Sequence, residues 1–255
     1  MAGLLNQLLA HPLTRNRSVD DPGTTALRRS IIREKPFLLA LYREWYQILL
    51  HHLPDHGAIL EIGSGAGFLG EYSSRVITSE VFQTPGVSLI ADCRQLPFAT
   101  GALAAVTMTD VLHHIPDVTS FFSEAARCIK PGGIMAMIEP WKTPWSELVY
   151  RNLHSEPFEP MAGWDIPTTG PLSGANGALP WIIFQRDRAR FESEFPQWQL
   201  QKIQPMMPLA YLVSGGVSLR SMAPAVSYGL VRAAEKLIGE ARFAMFALIV
   251  LVRKP

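Results

Sequence analysis

Cysteine and charge are both scarce in this 255-residue chain, and each scarcity excludes a class of protein. The only two cysteines, Cys93 and Cys128, have neither the spacing of a metal site nor the number that a disulfide framework needs. Charged residues make up 18% of the chain and its net charge is +1, which is not typical of a nucleic-acid-binding protein. We therefore expect a reducing, cytoplasmic setting and no nucleic-acid partner.

A long apolar run is missing as well. The longest late run, FAMFALIVLV at 243–252, has ten residues, whereas a helix needs roughly 20 to cross a bilayer. The N-terminal stretch MAGLLNQLLAHPLT has no basic region before its short apolar part, unlike a secretion signal. We expect no membrane span, leave peripheral membrane contact open, and interpret the late run as a buried strand.

Apolar residues are plentiful at 48% of the chain, and they follow two patterns. Residues 1–56 have helical spacing, with Pro36 placed to open a helix, and we predict an N-terminal helical cap there. Residues 57–255 alternate between strands and helices, which predicts an α/β, doubly wound, Rossmann-like sheet. The strand candidates are 58–62, 75–78, 87–91, 104–109, 133–138, 198–204 and 243–253.

Two segments interrupt that alternation. Proline and glycine occupy 11 of the 41 positions in 140–180, too many for a regular helix or strand. Four of the six tryptophans fall within 140–181, so plain disorder is a poor interpretation. We predict a Pro/Trp-rich lid, or a wall of the substrate pocket, at about 140–181. A second apolar insertion follows at about 205–240.

The stretch ILEIGSGAGFLGEY at 59–72 indicates a nucleotide site. An apolar strand stops at three alternate glycines, Gly63, Gly65 and Gly67, where backbone can approach a ligand closely. Read from Gly65 to Gly70, the same stretch also satisfies the dinucleotide fingerprint G-x-G-x-x-G. The stretch by itself leaves the identity of the cofactor open.

Four acids accompany the predicted strands and bear on the choice of ligand, although an acid in the position of Glu80 can accept the ribose hydroxyls of either candidate cofactor. Glu61 lies inside the first strand, and Glu80, Asp92 and Asp110 follow the next three. A buried carboxylate is costly unless it is paired or meets a donor. Acids at strand ends suit a ligand with amine and hydroxyl donors and no pyrophosphate.

The motifs EIGSGAG, ADCRQLPF, DVLHHIPD and KPGGIMAMIEP follow one another along the chain. With them, about residues 57–140 resemble class I S-adenosylmethionine-dependent methyltransferases, in particular the small-molecule branch with quinone and sterol methyltransferases. The resemblance implies a sheet of seven strands whose last strand is antiparallel. The chain departs from the family in having Ala104-Ala105 where an acid is frequent. It is also short between Gly67 and Arg75, where we expect a helix of about two turns.

The resemblance also implies a site for S-adenosyl-L-methionine. The glycine loop and Glu61 would hold its methionine part, Glu80 its ribose hydroxyls and Asp92 its adenine edge, while Asp110 would lie beside the sulfonium. The implied cofactor-binding residues are Glu61, Gly63, Ser64, Gly65, Gly67, Glu80, Asp92, Cys93 and Asp110.

His113 and His114 follow the fourth predicted strand, where a methyl acceptor would approach. Either imidazole could act as a general base, because it titrates near neutral pH, although both could be structural. Adjacent histidines without further ligands at suitable spacing do not indicate a metal site.

The sequence as a whole predicts methyl transfer to a small, possibly apolar acceptor. A non-catalytic adenosylmethionine-binding scaffold and an NAD(P)-dependent oxidoreductase remain alternatives. The acceptor and the oligomeric state are left open.

Overall fold

The computed structural model describes residues 11–13, 18, 20–154, 156–167, 170 and 173–255. Residues 1–10, 14–17 and 19 of the predicted cap lie outside the described residues, as do 155, 168–169 and 171–172 of the predicted lid. A seven-stranded sheet forms the centre. Its strands are β1 Ile59–Glu61, β2 Val76–Glu80, β3 Leu89–Ile90, β4 Leu103–Thr109, β5 Ile129–Pro140, β6 Trp198–Met206 and β7 Phe246–Arg253.

The strand order is β3-β2-β1-β4-β5-β7-β6, and it confirms the predicted sheet. The first five strands are parallel, whereas β7 runs antiparallel to both β5 and β6. β1 and β4 are buried along nearly their whole length, as expected of parallel strands that are covered on both faces. Glu61 is in register with Thr78 of β2 and Thr107 of β4, so these three strands end at one edge of the sheet.

Helices flank the sheet and complete the core. Trp45 of one helix and Phe121 of another belong to the same buried cluster as the apolar residues of the strands. The helices are α1 Pro22–Glu34, α2 Pro36–His52, α3 Val118–Cys128, α4 Pro144–Leu153, α5 Leu179–Trp181, α6 Arg188–Glu194, α7 Ala210–Ser214, α8 Tyr228–Ile238 and α9 Glu240–Phe243, with a π-helical turn at Ile182–Arg186.

Local sequence explains where several helices begin. α2 starts at Pro36, as predicted, because proline needs no N–H partner in the first turn. The Asp117 carboxylate accepts the Ser120 N–H at 2.9 Å and caps α3. α3 ends at Cys128, and Lys130–Gly133 belong to β5, where Gly132 takes a positive φ of 76°.

The predicted two-turn helix after the glycine loop is wrong. The structure has a single 3₁₀ turn at Leu69–Glu71, and β2 begins shortly after it at Val76. Of the eight residues between Gly67 and β2, only three form this turn. The Phe68 N–H just before it donates to the Tyr46 hydroxyl of α2 at 3.0 Å.

The described part of 140–181 is ordered and packed. α4 opens with a capping box, in which Ser146 N–H donates to Thr143 Oγ1 at 3.0 Å and Thr143 N–H to Ser146 Oγ at 2.8 Å. Trp141 and Trp164 are buried. The segment is therefore a wall built onto the sheet rather than a plain loop.

Candidate functional site

A cavity of about 580 Å³ opens at the carboxyl ends of β1, β2 and β4. Its size lies within the range of small-molecule sites, and its position is the usual one for ligands of open α/β sheets. The predicted cofactor residues all line it, together with His114, whereas His113 lies behind the wall. Those lining residues are Glu61, Gly63, Ser64, Gly65, Gly67, Glu80, Asp92, Cys93, Asp110 and His114.

The glycine loop presents bare backbone to the cavity. Gly63 and Gly65 have positive φ values of 63° and 39°, which favour glycine. A Cβ on Gly63 would lie 2.6 Å from Val111 Cγ2, and one on Gly67 would lie 2.8 Å from both Ser64 O and Tyr46 Oη. The loop therefore cannot carry side chains at these points without shifting.

Glu61 is a buried carboxylate without a cation. It is 2% exposed, and its Oε2 accepts the Ser64 hydroxyl at 2.8 Å. Within the described part of the chain, no basic side chain forms an ion pair with it. Burial raises the pKa of Glu61 to about 7, so the folded protein disfavours its charge. A bound ammonium group would satisfy it.

Glu80 braces the same loop from the end of β2. Its Oε2 accepts the Gly65 N–H at 3.1 Å and its Oε1 the Val81 N–H at 2.9 Å. Burial raises its pKa, while the two backbone donors oppose the shift. Each carboxylate oxygen keeps acceptor capacity for a hydroxyl.

Asp92 and Cys93 form the wall after β3. Arg94 donates to the Asp92 carboxylate through Nε at 3.0 Å and Nη2 at 2.6 Å, and this pairing lowers the pKa of Asp92. Burial raises the pKa of the Cys93 thiol to about 12, so it is an unreactive wall group. Asp92 is half exposed and can accept a further donor.

Asp110 follows β4 with a φ of 62°, a conformation that few residues other than glycine adopt. Its backbone N–H donates to Ile138 O at 2.8 Å, which anchors the turn. Enclosure in the cavity raises the pKa of Asp110 to about 7, and nearby His113 opposes that rise. The sheet thus holds a carboxyl group that titrates near neutrality at the cavity floor.

His113 is fixed between carboxylates. Its Nδ1 lies 2.9 Å from Glu139 Oε2, and its Nε2 lies 3.4 Å from Glu156 Oε2. Glu139 is itself anchored, because its Oε1 accepts the N–H groups of Val111 and Leu112, both at 2.8 Å. Burial opposes protonation of His113, but Glu139, Glu156 and Asp110 outweigh it and hold its pKa well above the ordinary value.

His114 has the opposite character. Its Nδ1 lies 3.3 Å from Gly174 O and can donate to it, which leaves Nε2 as the acceptor. Burial, followed by the charge of His113, lowers the pKa of His114 to about 3. The adjacent imidazoles therefore differ in charge at neutral pH.

His113, His114 and Glu156 bring one ligand atom each within 4.8 Å of one another. The sequence indicates no metal because the two histidines lack a third ligand nearby, and Glu156 supplies one from 42 residues further on. A doubly protonated His113 can donate through Nδ1 to Glu139 at 2.9 Å, and its Nε2 lies 3.4 Å from Glu156, so the positive charge near Glu156 needs no metal ion. We interpret the cluster as one that holds a proton.

Several cavity residues carry no recognisable motif. They lie on α1, on α2, in the Pro/Trp-rich segment and on α7, outside the stretch that resembles methyltransferases. Only packing brings them to the sheet edge, so no local pattern could have found them. They include Thr25, Arg28, Tyr42, His154, Glu156 and Tyr211.

Residues 60–137 match the family model described as a methyltransferase domain. The matched stretch runs from β1 into β5 and contains all of the predicted cofactor residues. Residues 60–137 are therefore similar to a methyltransferase domain, and the order of the strands in the sheet agrees with that similarity.

Among curated proteins, the chain is similar to demethylmenaquinone methyltransferase of Beutenbergia cavernae, with 28% identity over 112 residues. The match covers 43% of this chain and 42% of that relative, less than half of its length.

Two solved structures share the fold. Geranyl diphosphate C-methyltransferase of Streptomyces coelicolor A3(2), solved with Mg²⁺, geranyl-S-thiolodiphosphate and S-adenosyl-L-homocysteine, has a TM-score of 0.52 at 15% identity, covering 83% of this chain and 76% of that one. The Haloferax volcanii protein solved with the Trm112 methyltransferase activator has a TM-score of 0.54 at 14% identity, covering 93% and 100%. The described residues include no helix that is long and apolar enough to span a bilayer.

Proposed function

We propose that this chain is an S-adenosylmethionine-dependent methyltransferase that acts on a small-molecule acceptor. One observation carries the proposal: a single cavity joins the glycine loop and the acidic strand ends to an aromatic and ionisable region around Tyr42 and His114. Two relatives named after small-molecule acceptors, demethylmenaquinone and geranyl diphosphate, support the acceptor class.

The residues present fit the cofactor. Glu61 is buried and has no cationic partner among the described residues, which suits an α-ammonium group. The bare loop at Gly63–Gly67 admits a ligand where side chains would clash. Glu80, at the end of β2, can accept hydrogen bonds from hydroxyl groups. Asp92, which follows β3, can accept a hydrogen bond from an amine. When bound, S-adenosylmethionine supplies an electrophilic methyl group that needs no metal activation.

Acceptor positioning falls to residues outside the motif. Tyr42 and Tyr211 give the cavity apolar faces, whereas Arg28 and His114 contribute polar groups. Because the methyl donor is reactive already, the protein's main task is alignment and exclusion of water. Alignment can lower a barrier by roughly 7–11 kcal/mol in favourable cases.

A general base is needed only when the acceptor keeps its proton until transfer. His113 is held in its charged form and faces Glu139 and Glu156, so it positions those carboxylates rather than accepting a proton. His114 is neutral, but its low pKa makes it a weak base. Asp110 lies in the same cavity, and its pKa of about 7 suits proton acceptance at neutral pH.

Calorimetric titration with S-adenosylhomocysteine and with NADH tests the cofactor assignment. We expect binding of the first alone, and binding of NADH alone would overturn the proposal. Radiolabelled methyl transfer from S-adenosylmethionine into a fractionated small-molecule extract then tests catalysis. If the protein binds S-adenosylhomocysteine but transfers no methyl group into any fraction, a non-catalytic scaffold would be favoured.

A further inference from the structure

The segment that follows the cavity exposes an unusual amount of apolar surface. Of the twelve large apolar side chains that are exposed among the described residues, six lie within 222–243, less than a tenth of the chain. Exposed apolar side chains concentrated in this way favour an interaction site, whereas single scattered ones are ordinary. The six are Met222, Val226, Leu230, Leu237, Ile238 and Phe243.

α8 is amphipathic with its apolar side turned outward. Leu230 and Leu237 are 74% and 88% exposed, and with Ala233 they follow the 3-4 spacing of one helix face. Val226, in the 3₁₀ turn Ala225–Ser227 just before α8, is 93% exposed. The opposite face carries Tyr228, Arg232 and Glu235, which point toward the protein. A surface helix of a water-exposed protein has the reverse arrangement.

An ion network fixes this orientation. Arg232 pairs with Glu44 of α2 at 2.7 Å, with Glu240 at 2.7 Å and with Glu235. Glu235 is fully buried, and its Oε1 accepts the N–H groups of Leu209 and Ala210, both at 2.6 Å. Rotating α8 to bury its leucines would break these pairs, so the apolar face stays outside.

The charge of the exposed surface has one sign. In 220–243 both acids, Glu235 and Glu240, are used in the Arg232 network. The remaining charged side chains, Arg220, Lys236 and Arg242, are exposed and basic. Leucines flanked only by cations match an anionic lipid surface, which offers acyl chains and negative headgroups together.

We propose that residues 220–243 dock on an anionic membrane surface, with α8 lying flat in the headgroup region. Val217 and Ser218, which directly precede this segment, line the cavity, so docking would place its mouth close to the bilayer. The acceptor would then be an amphiphilic molecule drawn from the membrane. This last step rests on the proposed function, whereas the docking itself does not.

Vesicle co-sedimentation of the full chain tests the docking. We expect binding to mixed phosphatidylglycerol–phosphatidylcholine vesicles and much weaker binding to phosphatidylcholine alone. Leu230→Ser with Leu237→Ser should lower the affinity more than about tenfold, since each leucine loses its burial in the membrane. The matched control, Leu148→Ser with Met161→Ser, removes two exposed apolar side chains elsewhere and should bind normally.

A second double variant tests the contribution of the basic residues. Lys236→Gln with Arg242→Gln should weaken binding to the anionic vesicles and flatten its dependence on salt. Melting curves that match wild type would show that both double variants are folded, as expected for exposed positions.

Three results would overturn the docking proposal. The wild-type protein does not bind anionic vesicles, or the Leu230→Ser, Leu237→Ser variant binds them as well as its matched control does. In the third, light scattering shows a dimer that this leucine variant disrupts, while vesicle binding is absent. The last result would assign the face to a second copy of the chain. Vesicle binding needs no cofactor. The docking proposal can therefore fail while the protein still binds S-adenosylhomocysteine, and cofactor binding can fail while the protein still binds vesicles.

Discussion

The carboxylate of Glu61 would bind a ligand at the expense of folding stability, because its charged form is buried. It ends β1 inside the sheet, where an unpaired charge is costly. In the part of the chain that the structure describes, the Ser64 hydroxyl alone donates a hydrogen bond to its carboxylate. The fold therefore favours the protonated acid, whereas an ammonium ligand favours the carboxylate. Ligand binding and proton loss are coupled at this residue.

Glu61→Gln should separate these two effects. Because the pKa of Glu61 rises from 4.5 to about 7 on folding, its stabilising contribution is complete below about pH 4.5 and is lost as the pH rises through about 7. The variant should therefore melt above wild type at about pH 8 while binding S-adenosylhomocysteine at least about tenfold more weakly, since a charge-assisted hydrogen bond is lost. Melting curves and calorimetry measure both, with exposed Glu159→Gln as the control. Unchanged affinity would contradict the role of Glu61.

Backbone at Gly65 can be tested against a glycine of similar conformation. Gly65→Val and Gly132→Val both place a β-branched residue at positive φ, and each should cost about 1–2 kcal/mol of stability. Gly132 does not line the cavity, and a Cβ added at Gly132 would have no neighbouring atom within 4 Å. Only Gly65→Val should therefore abolish binding of S-adenosylhomocysteine. Equal binding by the two variants would remove the glycine loop from the site.

The two histidines should report their surroundings directly. Nuclear magnetic resonance of labelled imidazoles, assigned with His113→Gln and His114→Gln, should find His114 neutral throughout about pH 5–8, whereas His113 should keep its charge above the pH at which a free imidazole loses it. Titration of His114 within that range would restore it as the better general base, whereas its absence leaves Asp110 in that role.

At the scale of elements, local chemistry predicted some features well and others poorly. The helix predicted to open at Pro36 does so, because the start of a helix depends on residues only a few positions away. The two-turn helix expected after Gly67 did not form, since the distance to β2 is a property of the assembled sheet. Likewise, no pattern within α8 revealed that its charged face would be turned inward.

The buried end of the α8 network gives a prediction about these elements. Glu235→Ala leaves Arg232 with an incomplete set of partners and two N–H groups of α7 unbonded, so it should cost about 3–5 kcal/mol of unfolding free energy. The neighbouring exposed variant Lys236→Ala should cost little. Chemical denaturation compares them, and equal stability would mean that the network does not hold α8 in place.

For the molecule as a whole, the sequence predicted the sheet and one side of the cavity. Repeated apolar strands ending in acids are local signals, which is why Glu61, Glu80 and Asp92 could be placed before the fold was known. The other side, with Arg28 and Glu156, comes from segments far apart in the chain. Their position at the cavity depends on packing between distant segments, which patterns in a single sequence do not encode.

Cofactor binding should therefore tighten parts of the chain that share no motif. Thr25 of α1 and Tyr211 of α7 border the same cavity as the glycine loop, so filling it should couple these elements to the sheet. Hydrogen exchange with S-adenosylhomocysteine at about 100 times its dissociation constant, where linkage gives about 2.7 kcal/mol, should slow exchange in 59–92, in α1 and in 209–218. The outward face of α8 does not border the cavity and serves as the internal control. Protection confined to 59–92 would mean that α1 and α7 pack beside the site without closing it, and that acceptor access is controlled elsewhere.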